Sequence, residues 1–113
     1  MVTATRTTEL DMQGMVERAA KRHQWRVFHQ PHVAKRAEPG FQDLVLLRQE
    51  PDGRKRMILM ELKIAPNTLE PEQICWRDEA DGAIVETQVW TAGSSDPLAI
   101  KATVEAIEVE VLR

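Results

Sequence analysis

Apolar residues near the start of the chain recur at three- and four-residue spacings, which predicts one buried face of a helix. Thr7 and Thr8 can cap the beginning of this helix, and Asp11 is favourable in its first turn. The residues that make the apolar face are Met12, Met15, Val16, Ala19 and Ala20.

Shorter apolar segments follow, and the turns between them indicate strands. Segment 25–29 alternates in polarity, and segment 30–40 contains two prolines and is typical of a loop. Segments 43–48 and 57–64 are continuously apolar in their centres, and the Pro-Asp-Gly sequence at 51–53 is a hairpin signal. Because of these apolar runs, we expect the two strands to be buried on both faces, in the centre of a sheet covered by helices.

The remainder of the chain predicts a helix, a strand and a helix. Pro71 suits the first position of a helix that ends near Gly82. Segment 83–90 is the next predicted strand, and the last helix runs from about residue 97 to residue 109. The side chains expected on the buried side of the middle helix are Ile74, Cys75, Trp76 and Ala80.

The predicted order is α-β-β-β-α-β-α. No internal repeat interrupts it, so residues 1–113 are interpreted as one domain. A strand–helix–strand unit near the end favours an α/β fold with a mixed sheet flanked by helices.

The composition indicates the class of protein and the cellular compartment that we expect. Apolar residues make up 42% of the chain and charged residues 29%, which is ordinary for a globular protein. No apolar run approaches the ~20 residues that span a bilayer, and no secretory signal pattern begins the chain. The single cysteine excludes an internal disulfide and a cysteine-rich zinc site, and it fits a reducing cytoplasm. The three tryptophans and Cys75 are expected in the core.

Charge is unevenly distributed along the chain. The net charge of −3 argues mildly against a polyanionic partner. However, segment 6–36 carries seven basic and three acidic residues, whereas segment 64–113 carries three basic and ten acidic residues. A basic N-terminal segment and an acidic C-terminal segment can present one positive face to a nucleic acid. A mixed solvated surface explains the same counts of charged residues.

The candidate chemistry lies on the predicted hairpin. The two strands of a hairpin are antiparallel, so Asp43 at the start of the first lies beside Glu61 at the end of the second. Alternation along the strand places Glu61 and Lys63 on one face. Two adjacent carboxylates repel unless a cation neutralises them, and Mg²⁺ accepts a few carboxylate oxygens together with waters and phosphate. Lys63 can orient an attacking water or help to deprotonate it. An exposed ion pair between Glu61 and Lys63 is the alternative interpretation.

The chain also resembles a known family. The segments that carry the resemblance are 25–29 (Trp-Arg-Val-Phe-His), 40–48 (Gly-Phe-Gln-Asp-Leu-Val-Leu-Leu-Arg), 60–63 (Met-Glu-Leu-Lys) and 71–73 (Pro-Glu-Gln), then Trp76, Gly82-Ala83 and Val89-Trp90. In this order and spacing they resemble the VRR-NUC family, the virus-type replication-repair nucleases of the PD-(D/E)XK superfamily. One departure is Gln42, where the family usually has proline.

The resemblance implies a restriction-endonuclease-like fold and metal-dependent hydrolysis of phosphodiester bonds in DNA, with Mg²⁺ or Mn²⁺ as cofactor. Compact members are thought to act as homodimers on branched DNA such as four-way junctions, in phage or bacterial replication and repair. The implied metal ligands are Glu9, Asp43, Glu61 and the backbone carbonyl of Leu62, with Lys63 as the catalytic lysine and Gln73 as a supporting catalytic residue.

Other assignments rest on the residues themselves. Glu9 also suits compensation of the helix dipole. His29, Lys35 and Arg36 are candidate DNA contacts, because they lie in and beside a basic loop. The rival function is a DNA-binding module that keeps the nuclease fold but does not cut, and cleavage of RNA would use the same residues.

Overall fold

The computed structural model describes residues 8–29, 43–81 and 85–113. Within these ranges the fold is mixed α/β, with a four-stranded mixed sheet flanked by helices. The described elements agree in order with the prediction, and a π-helical turn extends the last helix. The elements are α1 (Glu9–Arg22), β1 (Arg26–His29), β2 (Leu44–Gln49), β3 (Lys55–Ile64), α2 (Pro71–Ala80), β4 (Val85–Ala92), α3 (Pro97–Ile107) and the π-helical turn (Glu108–Leu112).

Helix α1 begins with a capping box. The Thr8 hydroxyl accepts a hydrogen bond from the backbone N–H of Asp11, and the Asp11 carboxylate accepts one from the N–H of Thr8, both at 3.0 Å. These bonds satisfy donors that have no partner within the helix. The helix ends where Gln24 adopts a φ of 63°, which turns the chain into β1. The residues that α1 buries are Met12, Gln13, Val16, Ala19 and Ala20.

The strands lie in the order β1-β2-β3-β4. The first three are antiparallel neighbours, and β4 is parallel to β3 because α2 forms the crossover between them. In the β2–β3 turn Gly53 has a φ of 89°, which favours glycine. The Asp52 carboxylate also accepts the N–H of Arg54, as the predicted hairpin signal requires.

The two faces of the sheet differ in burial. One face, called here the core face, packs against α1 and α3 through Leu44, Leu46, Ile58, Met60 and Leu62. The opposite face, called here the open face, carries Phe28, Val45, Leu47, Leu59, Glu61 and Lys63. The expectation that β2 is buried on both faces is wrong, since Leu47 is 43% exposed. No described helix covers β2 on its open face.

Helix α2 lies at the periphery, against β4. None of its residues is buried, and Cys75 is exposed, so the predicted buried side of this helix is also wrong. Its apolar residues are consecutive, so they do not form one face at helical spacing. Trp25 is buried as expected, whereas Trp76 and Trp90 are half-buried.

The Trp25 indole N–H and the Arg48 Nη1 both donate to the Leu112 carbonyl, at 2.9 and 2.7 Å. The Arg48 guanidinium also lies 4.3 Å from the centre of the Trp25 ring and binds the Glu50 carboxylate. These bonds hold the π-helical turn against the core at the end of the sheet opposite to Asp43. Within the described ranges, no helix is long and apolar enough to cross a membrane.

Candidate active site

The hairpin register brings Asp43 and Glu61 together. Leu44 pairs with Met60 in the β2–β3 ladder, so Asp43 and Glu61 are the next residues beyond the last pair. The backbone N–H of Asp43 donates to Glu61 Oε2 at 3.2 Å. The two acidic residues predicted to be neighbours therefore lie side by side where β2 begins.

Strand β3 continues past the start of β2, and two carboxylates occupy the position that further strand residues would take. The N–H of Leu62 donates to Asp43 Oδ2 at 2.8 Å, and the N–H of Ile64 donates to Glu9 Oε2 at 3.3 Å. A buried backbone N–H without an acceptor is costly, so these bonds fix both carboxylates along this part of β3. The segment from Glu61 to Ile64 is called here the overhang of β3.

The backbone carbonyl of Leu62, a predicted ligand, belongs to the overhang. In a strand the N–H and C=O of one residue point to the same side. Because the N–H of Leu62 points toward Asp43, its carbonyl oxygen points to that side too, between the positions where Asp43 and Glu9 bind the strand. The structure thus places this acceptor beside the predicted acidic ligands.

Glu61 and Lys63 lie on the open face, two residues apart on β3, with Glu61 Oε1 3.6 Å from Lys63 Nζ. Glu61 is 3% exposed and Lys63 is 9% exposed, so the alternative of an exposed surface ion pair does not hold. Burial, together with the charge of Asp43, raises the pKa of Glu61 to about 7, although Lys63 opposes the shift. The site therefore holds a carboxylate whose ionised form is disfavoured.

Gln73 reaches Glu61 from α2. Its Nε2 donates to Glu61 Oε1 at 2.6 Å, while its Oε1 accepts the N–H of Glu70 at 2.7 Å. The second bond belongs to the capping box of α2. Because that bond requires the amide oxygen, the amide nitrogen faces Glu61. Gln73, the third residue of the helix, thereby takes part in the capping box and orients the Glu61 carboxylate.

Asn67 is a site residue that the sequence analysis missed. Its Nδ2 donates to Glu9 Oε2 at 2.9 Å, so Glu9 is held jointly by Asn67 and the overhang. The signal in the sequence is weak: an asparagine after Pro66, at the end of a strand that carries candidate ligands. Gln13 is also buried, on α1 one turn after Glu9.

The predicted DNA contacts are not brought to this site. His29 pairs with Leu44, whose side chain lies on the core face, so His29 lies on the opposite side of the sheet from Glu61. Lys35 and Arg36, like Gln42, lie outside the described residues.

The donor set fits a hard divalent cation. Among residues 8–29, 43–81 and 85–113, no three histidine, cysteine, aspartate or glutamate side chains form a metal-binding group. Mg²⁺, however, is typically held by one or two carboxylates and keeps several waters. Asp43, Glu61 and the carbonyl of Leu62 match that requirement, and a cation would relieve the repulsion between the two carboxylates.

Comparisons with protein-family models, with curated proteins and with solved structures give no match to this chain. They neither support nor oppose the resemblance described above, so the functional argument depends on the site itself.

Proposed function

We propose that this protein is a metal-dependent endonuclease that hydrolyses phosphodiester bonds in DNA. The observation that carries the proposal is the half-buried Asp43 beside the buried Glu61 and Lys63, an arrangement in which the pKa of Glu61 is raised to about 7. A buried carboxylate beside a second negative charge destabilises a fold, so its presence supports a role in binding or chemistry.

In this proposal the residues of the site bind the cation, orient the acidic side chains and neutralise charge on the phosphate. Asp43, Glu61 and the carbonyl of Leu62 would hold the cation, with Glu9 as the outer acidic residue of the site, and Mg²⁺ or Mn²⁺ would supply Lewis acidity for hydrolysis of the phosphodiester. The Lys63 ammonium stabilises the negative charge that develops on the phosphate oxygens. Gln73 holds the Glu61 carboxylate in one orientation, and Asn67 does the same for Glu9.

The resemblance motivates two further parts of the proposal. Branched DNA, such as a four-way junction, is the proposed substrate. A homodimer is the proposed active form, since two copies related by a two-fold axis would present two active sites to two strands.

The experiment is a cleavage assay on labelled four-way junction, nicked duplex, linear duplex and single-stranded DNA, with Mg²⁺ or Mn²⁺ and with EDTA. Lys63→Ala is the test variant, and Lys101→Ala, an exposed lysine on α3, is the control. Metal-dependent cutting that is lost only in Lys63→Ala supports the enzyme, and sedimentation of the same samples tests the dimer. Binding of DNA without cutting in either metal would refute the proposed nuclease activity and favour the non-cleaving DNA-binding module.

A further inference from the structure

The open face of the sheet continues from the candidate active site across strands that no described helix covers. Phe28, Val45 and Leu59 form the cross-strand row next to Glu61, and Arg26, Leu47 and Met57 form the row after it. Phe28 is 59% exposed, which is unusual for a large aromatic side chain in a sheet. This region therefore presents apolar and aromatic surface beside a site proposed to act on a polyanion.

Two cations border the same surface. Arg26 and Lys55 line a hollow of about 410 Å³ together with Leu47 and Gln49. Neither cation forms a salt bridge with a carboxylate of the described residues, in contrast to Arg48 and Arg56 beside them. Arg26 and Lys55 are both exposed, so their charges face solvent beside this surface.

The opposite border is acidic. The Asp81 carboxylate accepts a hydrogen bond from Thr87 on the open face of β4, and α2 adds Glu72, Asp78 and Glu79, all exposed. A phosphate chain that leaves the site across β4 would meet these carboxylates. One that leaves across β2 and β1 meets Phe28 and then Arg26, so charge favours the second direction.

We propose that the open face of β1 and β2 binds a single-stranded segment of DNA that leads to the active site, with a base stacked on Phe28 and phosphates bound by Arg26 and Lys55. The proposal rests on the function proposed above. An exposed ring on a sheet suits an unpaired base, because every base offers a flat face for stacking. Strand spacings place Phe28 about 12 Å and Arg26 about 16 Å from Glu61. That span corresponds to about five stacked nucleotides.

The test measures binding apart from cleavage. Fluorescein-labelled single-stranded DNA of about two or about twelve nucleotides is titrated with Lys63→Ala protein in Mg²⁺, and anisotropy is read at several salt concentrations. Arg26→Ala, Lys55→Ala and Phe28→Ala are added to this background. Lys101→Ala, which removes an exposed cation from α3, is the matched control.

We expect each of the three substitutions to weaken binding of the longer strand about 10-fold and to leave the shorter strand nearly unaffected. The two cation variants should also reduce the slope of log K against log salt by about 0.7 each, whereas Phe28→Ala should leave it unchanged. Phe28→Trp should restore binding. A merely structural role for these exposed residues would alter neither the salt slope nor the length dependence.

Equal binding by all variants, or equal loss in Lys101→Ala, would overturn the inference. So would a change from dimer to monomer in Phe28→Ala with DNA binding intact, because the face would then bind a second copy of the chain. The two proposals fail separately: strand binding without cleavage by the unsubstituted protein rejects the nuclease alone, and cleavage with unaltered binding by the variants rejects the open-face site alone.

Discussion

Replacing Glu61 by glutamine should stabilise the metal-free protein at alkaline pH. The pKa of Glu61 is raised to about 7, chiefly by burial and then by Asp43, from an ordinary value of 4.5. A carboxyl whose pKa rises on folding stabilises the fold fully below pH 4.5, and this contribution is lost as the pH rises through 7. At 1.36 kcal/mol per pKa unit, the ionised Glu61 costs about 3 kcal/mol at pH 8.

The Glu61→Gln substitution removes the charge but also one acceptor. Glu61 accepts from the N–H of Asp43 with one oxygen and from Gln73 with the other. Glutamine offers a single oxygen, so one of these bonds is lost, at a net cost of about 1 kcal/mol. The expected gain is therefore about 2 kcal/mol at pH 8, equivalent to roughly 8 °C in Tm for a domain of this size. At pH 5 the gain should vanish.

The assay is thermal or guanidinium unfolding in EDTA at pH 5 and pH 8, with Glu105→Gln on the exposed surface of α3 as the control. Comparing variant and wild type at one pH cancels the titration of other groups. Added Mg²⁺ should stabilise the wild type and have little effect on Glu61→Gln. A variant less stable than the wild type at both pH values would show that the buried charge is not costly, and the argument for a functional pair would fail.

Three other substitutions test contacts described above. Asn67→Ala releases Glu9 from one of its two donors and should weaken Mn²⁺ binding about 10-fold by calorimetry; an unchanged affinity would exclude a positioning role. Arg48→Met removes one of two donors to the Leu112 carbonyl, the donor to the His23 carbonyl and one of the two arginines that bind Glu50, so guanidinium unfolding should show a loss of about 3 kcal/mol; a loss under 1 kcal/mol would contradict the importance of these bonds. Met60→Ala empties a fully buried position and should cost 2–5 kcal/mol in the same assay, with m unchanged.

Local chemistry made most elements predictable. Thr8 caps α1 as expected, and Asp96 caps α3 in the same way, because a side-chain oxygen before an apolar periodic segment has a direct partner in the first turn. The hairpin turn and the adjacency of Asp43 and Glu61 follow from antiparallel geometry alone. The exposure of α2 was not predictable in this way. It depends on which elements cover the open face of the sheet, and that is a property of the tertiary structure.

The candidate site was only partly accessible from sequence. Alternation along β3 identified Glu61 and Lys63 as neighbours, but the contact between Asn67 and Glu9 joins residues 58 positions apart through a loop conformation. The dual role of Gln73 depends on the angle at which α2 leaves the loop, which no local pattern encodes.

The overhang of β3 has a consequence for mutagenesis and for solubility. An unpaired strand edge is a template for association with another chain, and Asp43 and Glu9 occupy the N–H groups of this edge with carboxylates. An alanine at Asp43 would both remove a candidate ligand and expose a short β-edge that favours aggregation. Asparagine keeps an acceptor for the Leu62 N–H, so Asp43→Asn can separate lost catalysis from lost protection against edge-to-edge pairing.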